Sequence, residues 1–286
     1  MTSRVAHLAG RSVRYLDAGG DTGRDGRPAG PDRRGPERKT LILIHAFPLS
    51  ADQWLPQLHR APPGWRVVAP DLRGFRPDAA TPAEPVPAGF TMDDYAADVV
   101  AMMDHLDIRR AVIGGVSMGG YVAFGLMRIA PARAAALVLA HTRASADTAE
   151  GRANRDRTID LVRREGPGSV AASMAPKLLG ETTRREQPDL EEVVDRMIRA
   201  NTADAIAGAL GALRDRPDST LLLPGIACPT VVVAGGEDAI VPRAEAEAMH
   251  RAIAGSRLVV LPHVGHLGNL EDPRGFNAAL YSTLPA

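Results

Sequence analysis

The chain has 286 residues, 45% of them hydrophobic, which is enough to bury a large core. Its 34 Lys and Arg balance 34 Asp and Glu, so overall charge draws it neither to nucleic acid nor to an anionic membrane. The single cysteine, Cys228, cannot form an internal disulfide. The opening MTSRVAHLAG lacks the apolar stretch of a signal peptide, and no apolar run approaches the roughly 20 residues that span a bilayer. The expectation is a cytoplasmic protein whose partner is a small molecule.

In chain order, short apolar β-branched runs alternate with longer helical stretches. That is the pattern of a mainly parallel sheet covered by helices. Strands are expected at Arg11–Leu16, Thr40–Ile44, Arg66–Ala69, Ala111–Gly114, Ala136–Ala140, Thr230–Ala234 and Arg257–Leu261. Helices are expected at Thr91–Leu106, Met118–Ile129, Arg243–Ile253 and Pro273–Leu284. Asp21–Arg38, rich in Gly, Pro, Asp and Arg, reads as an exposed loop within the core between the first two of these strands. Between Thr142 and Gly225 the strand signal vanishes, and Asp156–Glu165, Ser169–Leu179, Asp189–Arg199 and Asp204–Arg214 read as amphipathic helices. Residues 142–225 are therefore expected to form a helical lid (cap) over the C-terminal edge of the sheet, where open α/β sheets bind ligands. Residues 1–141 and 226–286 form the core.

Gly115-Val116-Ser117-Met118-Gly119 matches G-x-S-x-G between a predicted strand and an apolar helix. Such a turn lifts the Ser117 hydroxyl above the sheet, over a helix N-terminus that favours developing negative charge. A serine hydroxyl needs a histidine to take its proton, and the imidazolium needs an anion to orient it. His263 and His266 both lie just past the last predicted strand, where a loop reaches over the sheet. Glu237 and Asp238 follow the penultimate strand and the pair Gly235-Gly236, which permits a sharp turn. Adjacent turn residues point in different directions, so only one of the two carboxylates reaches the histidine. Acyl transfer also needs fixed N–H donors for the carbonyl oxygen. One is expected from the backbone of Met118 and the other from the loop His45-Ala46-Phe47-Pro48, at Phe47.

On these residues the chain resembles the α/β-hydrolases of the small esterase, enol-lactonase and cofactor-free perhydrolase group, over nearly its whole length. His45-Ala46-Phe47-Pro48, Asp71-Leu72-Arg73-Gly74-Phe75, Gly115 to Gly120, and Gly265-His266 followed by Glu271-Asp272-Pro273 carry the resemblance. It is nearest to 3-oxoadipate enol-lactonase-like proteins, on Ser117-Met118-Gly119-Gly120, Thr142-Arg143-Ala144 with Asp147-Thr148, and Pro176-Lys177-Leu178-Leu179. The resemblance implies a mostly parallel central sheet flanked by helices, with a helical lid inserted after the sixth strand. It implies Ser117, Asp238 and His266, in that order, as nucleophile, acid and base. It also implies ester or lactone hydrolysis through an acyl-enzyme, with no metal and no organic cofactor. Perhydrolase (bromoperoxidase-like) chemistry on the same triad and a non-catalytic ligand receptor on the same fold are the competing readings. Two departures stand out: His141 occupies a place where an acidic residue is expected, and Phe75-Arg76-Pro77-Asp78 replaces a more usual Gly-x-Ser stretch. For the substrate pocket the candidates are Trp54, Arg143, Met174, Leu178, Met197 and Leu210. The apolar ones face either the pocket or the seam between lid and core. Arg143 either meets a substrate carboxylate or is a solvated surface residue.

Overall fold

The computed structural model describes residues 1–8, 10–19, 39–77 and 84–284. The Asp21–Arg38 loop and Asp78 lie outside the described residues. Eight strands form one sheet in the order β1-β2-β4-β3-β5-β6-β7-β8. They are β1 (Thr2–Leu8), β2 (Arg11–Ala18), β3 (Lys39–Ile44), β4 (Trp65–Pro70), β5 (Ala111–Val116), β6 (Ala134–Ala140), β7 (Thr230–Gly235) and β8 (Arg257–Leu261). β1 pairs with β2, and β2 with β4, antiparallel; the remaining neighbours are parallel. β5 and β7 are buried at every position. Their unbroken apolar runs fit central strands covered on both faces. β1 is the one strand that the sequence reading lacks. Its segment TSRVAHL buries only Ala6 and Leu8, too little to show a period.

The helices are α1 (Leu55–Leu58), α2 (Met92–His105), α3 (Met118–Ile129), α4 (Ala149–Glu165), α5 (Pro167–Leu178), α6 (Glu181–Glu186), α7 (Asp189–Arg199), α8 (Ala203–Arg214), α9 (Arg243–Ala252), α10 (Gly268–Glu271) and α11 (Pro273–Tyr281). α2 starts on a capping box, in which Thr91 Oγ1 accepts from Asp94 N and the Asp94 carboxylate accepts from Thr91 N. α3 is buried from Met118 to Met127, as expected of a helix lying between the sheet and α2. Helices α4 to α8 all fall between β6 and β7. This insertion follows the sixth strand, one later than the predicted strands would count, because β1 precedes them. Among the described residues no helix is long and apolar enough to cross a membrane.

The parallel register brings the C-terminal ends of β3, β5, β6, β7 and β8 to one edge of the sheet. Phe47, Ser117, Asp238 and His266 all sit on the turns and loops that leave this edge.

Candidate functional site

Ser117 joins β5 to α3 with φ 53° and ψ −111°, a left-handed backbone that costs a non-glycine residue on the order of 1–3 kcal/mol. The surrounding structure holds it there. Ser117 N donates to Ala140 O at 2.9 Å, and Thr142 Oγ1 donates to Ser117 O at 2.9 Å. The flanking glycines are sterically required. A Cβ on Gly115 would lie 2.2 Å from the Gly119 carbonyl, and one on Gly119 would lie 2.2 Å from Ile44 O. The motif spacing thus lets β5, α3 and the end of β3 meet around one strained serine.

Of the two candidate histidines, His266 is 1% exposed, whereas the His263 side chain is 76% exposed. His266 Nδ1 lies 2.9 Å from Asp238 Oδ2 and 3.1 Å from Oδ1. That places the proton on Nδ1 and leaves Nε2 as the free lone pair. Asp238 Oδ1 also accepts from Ile240 N and Val241 N, each at 2.9 Å. Burial alone would raise the Asp238 carboxyl. The charge of His266, its hydrogen bond and the nearby His141 overcome this and hold the carboxyl far below the usual carboxylate range. Glu237 points elsewhere. Its carboxylate accepts from Thr182 N at 2.8 Å and Thr182 Oγ1 at 2.6 Å. The two glycines before it serve close approach rather than a special turn angle, since neither has a positive φ. A Cβ on Gly235 would lie 2.2 Å from Gly265 O, and one on Gly236 would lie 2.2 Å from Pro262 O. They let the loops after β7 and β8 run against each other, joined by Gly236 N to Leu261 O and Glu237 N to Val264 O.

Both Ser117 and His266 are tied to the end of β6: Ser117 N is bonded to Ala140 O, and the ring of the next residue, His141, lies edge-on against His266. Ser117 Oγ and His266 Nε2 are not within hydrogen-bond geometry; contacts of this kind tighten when substrate fills the site.

The loop after β3 carries the Phe47 N–H. Among the described residues, neither Phe47 N nor Met118 N donates a hydrogen bond within the chain, so both are available to an oxygen. The loop is rigid. His45 Nδ1 donates to Ala46 O at 2.9 Å, and Nε2 accepts from Leu72 N at 3.0 Å. Burial pushes His45 down to about 4, partly opposed by its bond to Ala46 O, so it is neutral at pH 7. Ala46 N donates to Gln53 Oε1 at 2.8 Å, the Phe47-Pro48 peptide is cis, and Phe75 packs edge-on against both His45 and Phe47.

Four further residues tie these loops together: Glu271, which lies in the Glu271-Asp272-Pro273 pattern, and Asn269, Gln53 and Asn201, which no motif marks. Glu271, 4% exposed, accepts from Gly265 N and Leu267 N on either side of His266, and from Gly180 N and Thr183 Oγ1 in the insertion. His266 N itself donates to Leu178 O at 3.1 Å. Asn269 and Gln53 exchange bonds, linking the helix after His266 to the loop after β3. Asn201 donates to Pro48 O at 2.8 Å and accepts from Arg76 N at 2.7 Å. The corner between α5 and α6 is therefore fastened to the same loops that carry Asp238 and His266.

The pocket candidates divide. Trp54, Leu178 and Leu210 are each 1% exposed and belong to the core. Trp54 packs on Phe276 with ring centroids 5.8 Å apart. Met174 and Met197 are partly buried against the core, on α5 and α7. Arg143 is held by Asp147 at 2.8 Å. The same carboxylate takes Arg155 at 2.9 Å and Arg216 at 2.8 Å. Arg216 stacks over Tyr121, four residues along α3 from Ser117, at 4.3 Å. Arg143 Nε is buried without a hydrogen-bond partner. Among the described residues no group of three or more His, Cys, Asp or Glu side chains is arranged to hold a metal ion.

A family model described as "alpha/beta hydrolase fold" matches residues 39–273. A 3-oxoadipate enol-lactonase of Acinetobacter baylyi is 27% identical over 248 residues, covering 87% of this chain and 89% of the relative. A pimeloyl-[acyl-carrier protein] methyl ester esterase of Neisseria meningitidis is 31% identical over 253 residues, covering 85% and 92%. Among solved structures, a thermophilic esterase of Thermogutta terrifontis with malate bound superposes with a TM-score of 0.84 at 36% identity, covering 99% of this chain and 97% of that one.

Proposed function

Because the chain belongs to the alpha/beta hydrolase fold family, we propose that it is a serine hydrolase that cleaves carboxylic esters or lactones through an acyl-enzyme. The observation that carries this reading is the buried His266–Asp238 pair, set at the sheet edge where the strained turn presents Ser117. His266 Nε2 takes the Ser117 proton as Oγ attacks the carbonyl carbon. The Phe47 and Met118 N–H groups hold the oxyanion, and such a donor is worth about 10²–10³ in rate. His266 then protonates the leaving oxygen. Water attacks the acyl-enzyme with His266 as base, and Ser117 leaves with its proton restored. Asp238 stays ionised throughout and stabilises the imidazolium.

Residues 142–225 act as a lid that shapes the acyl side of the pocket, with Met174 and Met197 as its apolar lining. Arg143 meets a negatively charged group on the substrate through its unpartnered Nε, while Asp147 fixes the rest of the guanidinium. The enol-lactonase and methyl ester esterase among the relatives support a lactone or ester substrate, and the enol-lactonase and the malate held by the esterase neighbour support one that carries a carboxylate. A panel of p-nitrophenyl esters and acidic lactones tests this. Turnover that vanishes in Ser117→Ala supports the reading. Turnover kept near wild type in that variant, or no turnover of any ester or lactone by the wild type, contradicts it.

A further inference from the structure

β6 ends at Ala140, and the next residue, His141, has φ 49°, a region that histidine visits far less often than glycine. His141 N donates to Val233 O at 2.8 Å, carrying the β6–β7 ladder one residue past the strand. The residue is 1% exposed. Its ring lies edge-on to His266, with centroids 6.1 Å apart at 71°. Its Nδ1 stands 3.4 Å from Asp238 Oδ2, just outside hydrogen-bond geometry, and neither ring nitrogen has a hydrogen-bond partner. A Cβ on Gly268 would lie 2.6 Å from His141 Nε2, so the residue two positions past His266 has no side chain where this imidazole needs the space.

Asp238 therefore stands between two buried imidazoles. Oδ1 is occupied by Ile240 N and Val241 N. Oδ2, the oxygen nearer His266 Nδ1, is also the one that faces His141. An imidazole nitrogen beside a carboxylate oxygen is attracted only when that nitrogen carries the proton; a lone pair there would repel. We propose that His141 is a positioning residue which, as the neutral Nδ1–H tautomer, steadies Asp238 Oδ2 and shares the negative charge on which His266 depends. The inference rests on the reading of Asp238 and His266 as acid and base. The titratable groups facing His141 among the described residues are Asp238, from the loop after β7, and His266, from the loop after β8. Protonating His141 puts a second cation on the carboxylate and weakens its hold on the His266 imidazolium.

The test uses the whole chain. Nitrogen-15 NMR of the wild-type imidazoles reports the tautomer directly. A proton on His141 Nδ1 is expected, and a neutral ring carrying it on Nε2 overturns the proposal. Kinetics with p-nitrophenyl acetate across pH follow two variants. His141→Phe removes the donor. His141→Asn tolerates a left-handed backbone and keeps an N–H near the Nδ1 position. His141→Phe is expected to lower kcat on the order of tenfold through misplacement of the acid–base pair, leave KM unchanged and move the acid limb of kcat/KM to higher pH, because Asp238 then serves His266 alone. His141→Asn is expected to restore most of kcat. Equal losses in both variants with the limb unmoved mean a packing role and overturn the proposal, as does wild-type behaviour in His141→Phe. If His141→Phe does not fold, the tautomer and His141→Asn decide. Absence of fluorophosphonate labelling at Ser117 in the wild type refutes the triad instead, and is distinguishable from every outcome above.

Discussion

His45→Asn perturbs the loop that carries the Phe47 N–H, and its effect on stability has a defined pH dependence. The folded chain holds His45 neutral down to about 4 against an ordinary value of 6.5, because the ring is buried. The unfolded chain takes up a proton below 6.5 that the folded chain refuses until about 4, so stability is lost as pH falls through that window. At 1.36 kcal/mol per pH unit the loss amounts to about 3 kcal/mol. Asp71 titrates in an overlapping range with the opposite sign, raised by burial to about 6 despite Arg14 beside it, so the wild-type curve alone is a composite. The difference between wild type and His45→Asn isolates the histidine. At pH 7 the variant is expected to be less stable, since Leu72 N loses its acceptor, at a cost of about 1–3 kcal/mol. By pH 4 the wild type has lost about 3 kcal/mol relative to the variant. Urea unfolding at half-unit steps from pH 4 to 8 measures this. A wild-type-minus-variant difference that stays constant with pH would refute the claim that the fold keeps His45 neutral.

Further outcomes follow from the same geometry. Asp238→Asn is expected to leave the fold intact and lower kcat by about 10⁴ toward p-nitrophenyl acetate, because the His266 tautomer and orientation are lost; stopped-flow turnover measures it. Glu271→Gln keeps one carbonyl acceptor but turns its amide NH2 toward one of the two N–H groups flanking His266, which bond to different oxygens of the carboxylate. It is expected to lower stability by about 2–3 kcal/mol in chemical denaturation and to reduce kcat more than it raises KM. Arg143→Ala is expected to raise KM for a carboxylate-bearing lactone about tenfold, as expected for a lost charge-assisted contact, while KM for p-nitrophenyl acetate is unmoved; equal changes for both substrates would remove Arg143 from substrate recognition.

Much of this site is legible in the sequence because it is local. Five residues around Ser117 contain the strand end, the turn and the helix start, and the steric demands at Gly115 and Gly119 are met within that span and at Ile44. What the sequence leaves open is set by distant partners. The choice between Glu237 and Asp238 depends on Thr182, 55 residues earlier, which draws Glu237 away. Gln53 and Asn269 are 216 residues apart, so nothing in the sequence near either one marks the pair. Leu210 sits on an amphipathic helix whose apolar face reads the same whether it meets a pocket or a core, and its burial puts it in the core. The edge strand β1 is invisible for a related reason: its hydrogen bonds go to β2, while its side chains are mostly exposed.

The most direct test of the central claim is covalent labelling with a fluorophosphonate, read by intact mass and peptide mapping. One adduct on Ser117 is expected in the wild type, and none in Ser117→Ala although Asp238 and His266 are unchanged. A wild-type chain that stays unlabelled, or a variant that labels at another residue and retains ester turnover, would contradict the account.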